Sequence, residues 1–286
     1  MVHSTWGDWF LENDVEGTEI TGASAFYLGC NGFVIRSSKT TIYVDPYFGE
    51  GEPPFTFRMI PVPMDPSNAT HCDAVLVTHE HIDHMHPPSY GPFVEELGAK
   101  LYAPSASFSD HRDYEGDLRA PDETRQVIEP GDRYEIGDFT VHVTAARDPD
   151  AVEPVSFVIE HDDGTFFHAG DSRPADEFAE IGERFDIDLG VLAFGTVGHI
   201  HFPENGESRR TRWYMDENQV TAAANALKLD RLLPSHYDMW RGVGGDPKVL
   251  HEHAASHEYP KVVEVIRIGD RVEFDSPGIA RSAAHR

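Results

Sequence analysis

Cysteine is nearly missing from this chain, with only Cys30 and Cys72 in 286 residues. That excludes a disulfide framework. Neither residue sits in a C-x-x-C pair, so both read as buried packing residues. Lysine is almost as scarce, with Lys39, Lys100, Lys228, Lys248 and Lys261 the whole complement, and 23 basic residues stand against 50 acidic ones for a formal net charge of -27. A field of that sign repels phosphate backbones, which argues against nucleic acid as a partner. No run of 18 apolar residues occurs and no charged-then-apolar leader opens the chain. Membrane spanning and secretion therefore lack support, and a cytoplasmic protein is expected. Repeats, low-complexity tracts and Pro/Gly/Ser linkers are absent too, which leaves one domain over residues 1–286 as the reading.

What is present is enough apolar material for a core. Hydrophobic residues make up 40% and aromatics 11%, so the large charge belongs to a surface rather than to disorder. Excess Asp and Glu with little Lys is the surface expected of a halophile's protein, because the Debye length falls to about 3 Å in 1 M salt and self-repulsion is screened. An ordinary acidic mesophilic protein is the alternative. Strand patterns occupy Ala25 to Leu28, Phe33 to Arg36, Thr41 to Val44, Ala74 to Val77, Phe139 to Val143, Val155 to Glu160, Thr165 to His168, Leu189 to Ala193, Val262 to Ile268 and Arg271 to Phe274. Helical patterns cover Pro87 to Lys100, Pro174 to Phe185, Glu217 to Lys228 and Lys248 to His257. Strands interspersed with helices, without strict alternation, predict packed sheets with helices outside.

The chemistry concentrates in "HEHIDHMH", residues 79 to 86, directly behind the apolar strand that ends at Val77. Composition alone places about half a histidine in such a window, and four are present. In an extended segment alternate side chains share a side, so His79, His81 and Asp83 project together, and a turn beginning at Asp83 swings His84 towards them. This gives two imidazoles for one metal and an Asp/His pair for a second. Further donors come from other strand ends. "FHAGDS" puts Asp171 just past Thr165 to His168, and "LLPSHYD" puts His236 just past Arg231 to Leu233. A carboxylate can bridge two cations while a neutral imidazole caps one of them.

H-x-H-x-D-H followed by G-D and a strand-end histidine resembles the metallo-β-lactamase superfamily. "WGDWF", "YLGCNGFVI", "VDPYFG", "FHAGDS" and "PSHYDMW" are similar, in order and rough spacing, to its L-ascorbate-6-phosphate lactonase branch. The resemblance implies an α/β fold, an αββα sandwich of two mixed β-sheets flanked by helices, with two divalent metal ions at one edge. By the same resemblance, His79 and His81 bind the first metal, Asp83, His84 and His236 the second, and Asp171 both. Asp45 then orients the site from behind. One departure stands out. Most members of the superfamily supply a third histidine to the first metal, and here the matching stretch reads "TAARDPDAVEPVSF". Asp148 or Asp150 can substitute, whereas His142, within a strand pattern, reads as structural. A carboxylate-rich site makes Mn competitive with Zn.

The implied reaction is metal-assisted hydrolysis of a lactone or other ester, with Asp83 orienting or deprotonating the water. His199 and His201 in "GHIHF" are candidate donors to substrate oxygens. The segment 195–213 also carries Arg209, Arg210 and Arg212, whose guanidinium forks suit phosphate or carboxylate. A small anionic substrate, which could carry a phosphate, is the expected partner, and a homo-oligomer is compatible with the sequence. Two other functions compete: a phosphodiesterase of the same fold, and a non-catalytic sensor that lost one metal position.

Overall fold

Side chains alternate across a strand, and strands that bury both faces need cover on each side. In Thr41–Val44, Ile42 and Val44 join one apolar cluster while Tyr43, between them, joins another. Repeated along the chain, that division builds layers. The computed structural model describes residues 2–195, 197–202 and 206–283.

In chain order the strands are β1 (Ser24–Gly29), β2 (Gly32–Arg36), β3 (Thr41–Val44), β4 (Ala74–Leu76), β5 (Lys100–Ala103), β6 (Arg125–Val127), β7 (Arg133–Ile136), β8 (Phe139–Ala145), β9 (Val155–His161), β10 (Gly164–His168), β11 (Leu189–Ala193), β12 (Gly198–Phe202), β13 (Glu207–Thr211), β14 (Arg231–Ser235), β15 (Val262–Val263), β16 (Arg271–Glu273) and β17 (Ile279–Ala280). The α-helices are α1 (Pro87–Glu95), α2 (Glu177–Arg184), α3 (Glu217–Ala226) and α4 (Val249–Ala254). One sheet runs β17-β16-β1-β2-β3-β4-β5-β6, a second runs β15-β14-β11-β10-β9-β8-β7, and β12 pairs with β13 as a separate hairpin. Both large sheets are mixed. The strands β3 to β6 are parallel, as are β10, β11, β14 and β15.

The inner faces meet in one cluster that takes Phe33, Ile42, Val44 and Leu76 from the first sheet and Phe139, Phe157, Phe166 and Val191 from the second. On the outer face of the first sheet, Tyr43 and Val75 pack with Phe93 of α1. On the outer face of the second, Phe167 and Leu192 pack with Phe178 of α2, Val220 of α3 and Leu250 of α4. This is the αββα sandwich that the sequence resemblance implies. Both cysteines are free and buried. Among the described residues no helix is long and apolar enough to cross a membrane.

Several predicted elements are shorter than their patterns. The helix after the histidine cluster stops at Glu95, Gly98 turns left-handed at φ +73°, and Lys100 already opens β5. The last predicted strand pair is reduced as well, with β15 spanning Val262–Val263 alone. Trp9 is 44% exposed, whereas Trp6 packs edge-on against Phe10.

Candidate metal centre

The site lies where parallel strands end. Asp45 follows β3 directly, His79 lies past β4, Asp171 past β10 and His236 immediately past β14. Ligands of open parallel sheets gather outside such carboxyl ends because the loops there converge. Backbone strain gathers there too. Cys30, Asp45 and His236 are left-handed non-glycine residues, at φ 57°, 42° and 66°, a conformation kept only where the surroundings enforce it. Gly170 has a packing reason: a Cβ there would meet Thr78 Cβ at 2.9 Å.

The chain turns from His81 rather than from Asp83 as expected, with the His84 and Met85 amides both bonding to His81 O at 3.0 and 2.8 Å. The turn divides the donors. His79, His81 and Asp148 form one group and Asp83, His84, Asp171 and His236 a second, each offering ligand atoms within 4.8 Å of one another. In the first, His79 Nε2 faces His81 Nδ1 at 2.9 Å, and Asp148 Oδ2 lies 3.6 and 3.5 Å from them. In the second, His236 Nε2 lies 3.2 Å from Asp83 Oδ2 and 3.6 Å from Asp171 Oδ2, and His84 Nε2 lies 3.4 Å from Asp171 Oδ2. The carboxylate in the first group is Asp148. Asp150 contributes its backbone carbonyl, 3.2 Å from His81 Nε2. Glu80 ties this segment to the histidine turn by accepting the Val152 amide at 2.6 Å.

Asp45, fully buried, accepts the Thr78 amide at 2.8 Å, the Thr78 hydroxyl at 2.7 Å and His84 Nδ1 at 2.8 Å. A carboxylate only accepts, so His84 Nδ1 carries its hydrogen, and the ring in its neutral form presents a bare Nε2. That Nε2 is buried and makes no hydrogen bond. Thr78 spends its one hydroxyl hydrogen on Asp45 and so accepts from His79 Nδ1, 2.9 Å away, which leaves His79 Nε2 bare as well. His81 donates through Nε2 to the Asp150 carbonyl, so its Nδ1 is bare. With both rings neutral, His79 Nε2 and His81 Nδ1 would aim lone pairs at each other across 2.9 Å, beside three carboxylates and the Nε2 of His84. A buried arrangement of that kind calls for cations, and the nitrogen and carboxylate donors fit two divalent ions.

Without cations, the same groups shift one another. Burial lowers the His79 ring well below its usual range, and the neighbouring imidazoles lower it further. Burial also acts against the charged form of His84, but Asp171, Asp45 and Asp83 outweigh it and hold that ring well above its usual value. Asp83 is pushed up by burial and pulled further down by His84 and a hydrogen bond with His236, ending below the carboxylate range. Burial and the Asp171 charge push Asp148 up to about 6. The pocket takes up protons where cations would replace them, so loading would release protons.

Asn31 went unnoticed in the sequence. Its amide donates to Asp171 Oδ1 at 3.1 Å and accepts from the Ser235 hydroxyl at 2.7 Å. Cys30 is a buried packing residue as expected, in a cluster with Tyr47 and Met239, and its Sγ also stands 3.4 Å from His236 Nε2 and 3.7 Å from Asp83 Oδ2, beside the site. His142 bonds Glu160 at 2.6 Å, a structural role. A cavity of about 420 Å³ opens above the two groups, and its lining includes His81, Asp83, Asp148 and Asp171. Arg209 lines it, but its two companions do not. Strand register puts His199 opposite Arg210 and His201 opposite Ser208, on the face of the β12–β13 hairpin away from the cavity. His199 and His201 are exposed there, and Arg212 pairs with Asp216 at 2.6 Å. Alternation along β13 separates Arg209 from Arg210. Thr196 and residues 203–205 of the 195–213 segment lie outside the described residues.

Residues 40–237, from β3 to just beyond His236, match the family described as Beta-lactamase superfamily domain. The probable L-ascorbate-6-phosphate lactonase UlaG of Escherichia fergusonii is 23% identical, over 86% of this chain and 78% of its own. Among solved structures, a metallo hydrolase from the hyperthermophilic archaeon Ignicoccus hospitalis superposes with a TM-score of 0.63 at 19% identity, covering 88% of this chain and 98% of that one. CmlA, a diiron β-hydroxylase from Streptomyces venezuelae, gives 0.63 at 16% identity, over 88% of this chain and 53% of its own. Hydrolysis and oxidation thus occur on one fold, so chemistry has to be argued from side chains. The chain belongs to the beta-lactamase superfamily and has the fold of its metal-dependent hydrolases.

Proposed function

We propose that the protein is a metal-dependent hydrolase that opens a lactone or ester of a small anionic substrate. The observation that carries this reading is the pair of donor groups side by side at the cavity floor. Two divalent cations, manganese or zinc, held by His79, His81 and Asp148 and by Asp83, His84, Asp171 and His236, would polarise the carbonyl and acidify a water at neutral pH. Asp171 is assigned to both positions, and its charge is near enough to Asp148 to raise that carboxyl. Asp83, which lines the cavity, would orient or deprotonate the attacking water. Asp45 and Thr78 keep the His79 and His84 lone pairs turned inward. Arg209 offers the substrate's anionic group a guanidinium fork.

The lactone or ester preference is supported by the likeness to the UlaG protein. The sensor reading depended on a missing third donor at the first position, and Asp148 stands beside His79 and His81. The proposal further takes the chain to act as one domain in a salt-rich cytoplasm. The test is elemental analysis of folded wild type, Asp171→Ala and His236→Ala, with circular dichroism as folding control and turnover of lactones and bis-p-nitrophenyl phosphate. Two metals per wild-type chain, loss of both in Asp171→Ala, loss mainly of one in His236→Ala and chelator-sensitive lactone opening are expected. Turnover of the phosphodiester alone would move the protein to phosphate chemistry, and at most one metal with no turnover would overturn the enzyme reading.

A further inference from the structure

One wall of the cavity is aromatic from rim to floor. Tyr214 stacks on His236 at 4.2 Å between ring centroids, so the wall begins at the donor groups. Trp213 follows at 6.5 Å from Tyr214, Phe55 at 6.1 Å from Trp213, and Phe202 at 5.3 Å from Phe55. Phe55, Phe202 and Trp213 are only partly buried: each packs against the cluster of Ile200, Tyr214 and Trp240 and also lines the cavity. The charged part of the lining is mostly acidic. Glu52, Asp113 and Asp150 line the cavity besides Asp83, Asp148 and Asp171, and Arg209, lying 3.8 Å over the Phe202 ring, is the one lysine or arginine among the described lining residues. Two dications above Asp83, Asp148 and Asp171 leave one positive charge. Together with Arg209 it is outnumbered by the carboxylates of Glu52, Asp113 and Asp150.

We infer that the substrate carries an aromatic or similarly flat apolar group beside the scissile carbonyl and at most one negative charge, so that phosphorylated lactones are poorly accepted. Flat rings bury area against such a wall and gain from offset or edge-to-face contact. A phosphate dianion would find one guanidinium among carboxylates, the reverse of the arginine clusters that suit it. The reaction part rests on the hydrolase reading, whereas the binding part rests on the wall and the charges alone.

The metal-loaded full chain is assayed on phenylacetyl-homoserine lactone, acetyl-homoserine lactone and a phosphorylated sugar lactone, in wild type, Trp213→Ala and Phe55→Leu. The expected result is a kcat/KM at least about ten-fold higher for phenylacetyl than for acetyl, the phosphorylated lactone slowest, and a phenylacetyl-to-acetyl ratio that falls several-fold in either folded variant. A wild-type ratio near one, a ratio unmoved by both variants, or the phosphorylated lactone as best substrate overturns the inference. Binding is measured separately, by quenching of tryptophan fluorescence with phenylacetate, acetate and inorganic phosphate. If no lactone is opened, the hydrolase reading fails and binding decides. Phenylacetate binding tighter than acetate and phosphate, weakened in Phe55→Leu, sustains the inference, and equal or phosphate-favoured binding ends it.

Discussion

Replacing Asp45 by asparagine tests how one carboxylate governs both donor groups. The change keeps the shape of a fully buried side chain, and asparagine tolerates the left-handed backbone at φ 42°. The carboxylate now accepts three hydrogen bonds, two from Thr78 and one from His84. An amide has one accepting oxygen and an NH2 that can only donate. Either His84 moves its hydrogen to Nε2 and loses the lone pair it offers, or Thr78 turns its hydroxyl and releases the His79 ring. Changes behind a ligand of this kind weaken metal binding about 10- to 100-fold, or about 1.4–2.7 kcal/mol. Loss of charge-assisted bonds should remove about 1.5–3 kcal/mol of stability, which a typical domain survives. Chelator-competition titration at pH 7 measures the affinity, with urea unfolding as the stability control. An Asp45→Asn protein that binds both metals with wild-type affinity would refute the tautomer argument.

Asp148→Ala should lose one metal per folded chain while Asp150→Ala retains both, measured by elemental analysis, and equal losses would return the choice of donor to open. In metal-free protein, the folded state holds a proton on Asp148 up to about pH 6, against 3.8 as the ordinary value. This group's contribution to stability therefore falls as pH rises from about 4 to 6, and Asp148→Asn should flatten that slope in urea titrations of chelator-treated protein; an unchanged slope counts against it. Arg209→Ala should raise KM for anionic substrates about ten-fold with little change in kcat, whereas Arg210→Ala and Arg212→Ala leave both near wild type; equal effects from all three contradict the hairpin register. With a formal charge of -27 and few acidic side chains buried, the melting temperature should rise between 0.1 and 2 M KCl, and a flat response would sink the halophilic reading.

The sequence made the floor of the site legible and left its walls obscure. Of the four histidines in eight positions three are donors, while His86 packs edge-on against Tyr47 and bonds Ser89 at 2.6 Å; Asp171 and His236 are signalled because each follows an apolar strand. The choice between Asp148 and Asp150 depends on how the chain turns at Pro149 against the Glu80 anchor, a tertiary matter. Asn31 acts on a carboxylate 140 positions away, and nothing local marks it. The sequence does not mark the hairpin of β12 and β13, because "ESRRT" is polar on both faces and reads as a loop. Recognised as a strand, its period of two would have separated Arg209 from Arg210 and turned His199 and His201 away. The helical pattern after the cluster runs on through Gly98, whose left-handed backbone is the ordinary signal of a helix end.

Anomalous diffraction from crystals of the purified metal-loaded protein, collected at the manganese and zinc edges, tests the central claim most directly. The account predicts two peaks, one among His79, His81 and Asp148 and one among Asp83, His84, Asp171 and His236. A single peak, or peaks elsewhere with both groups empty, would contradict it.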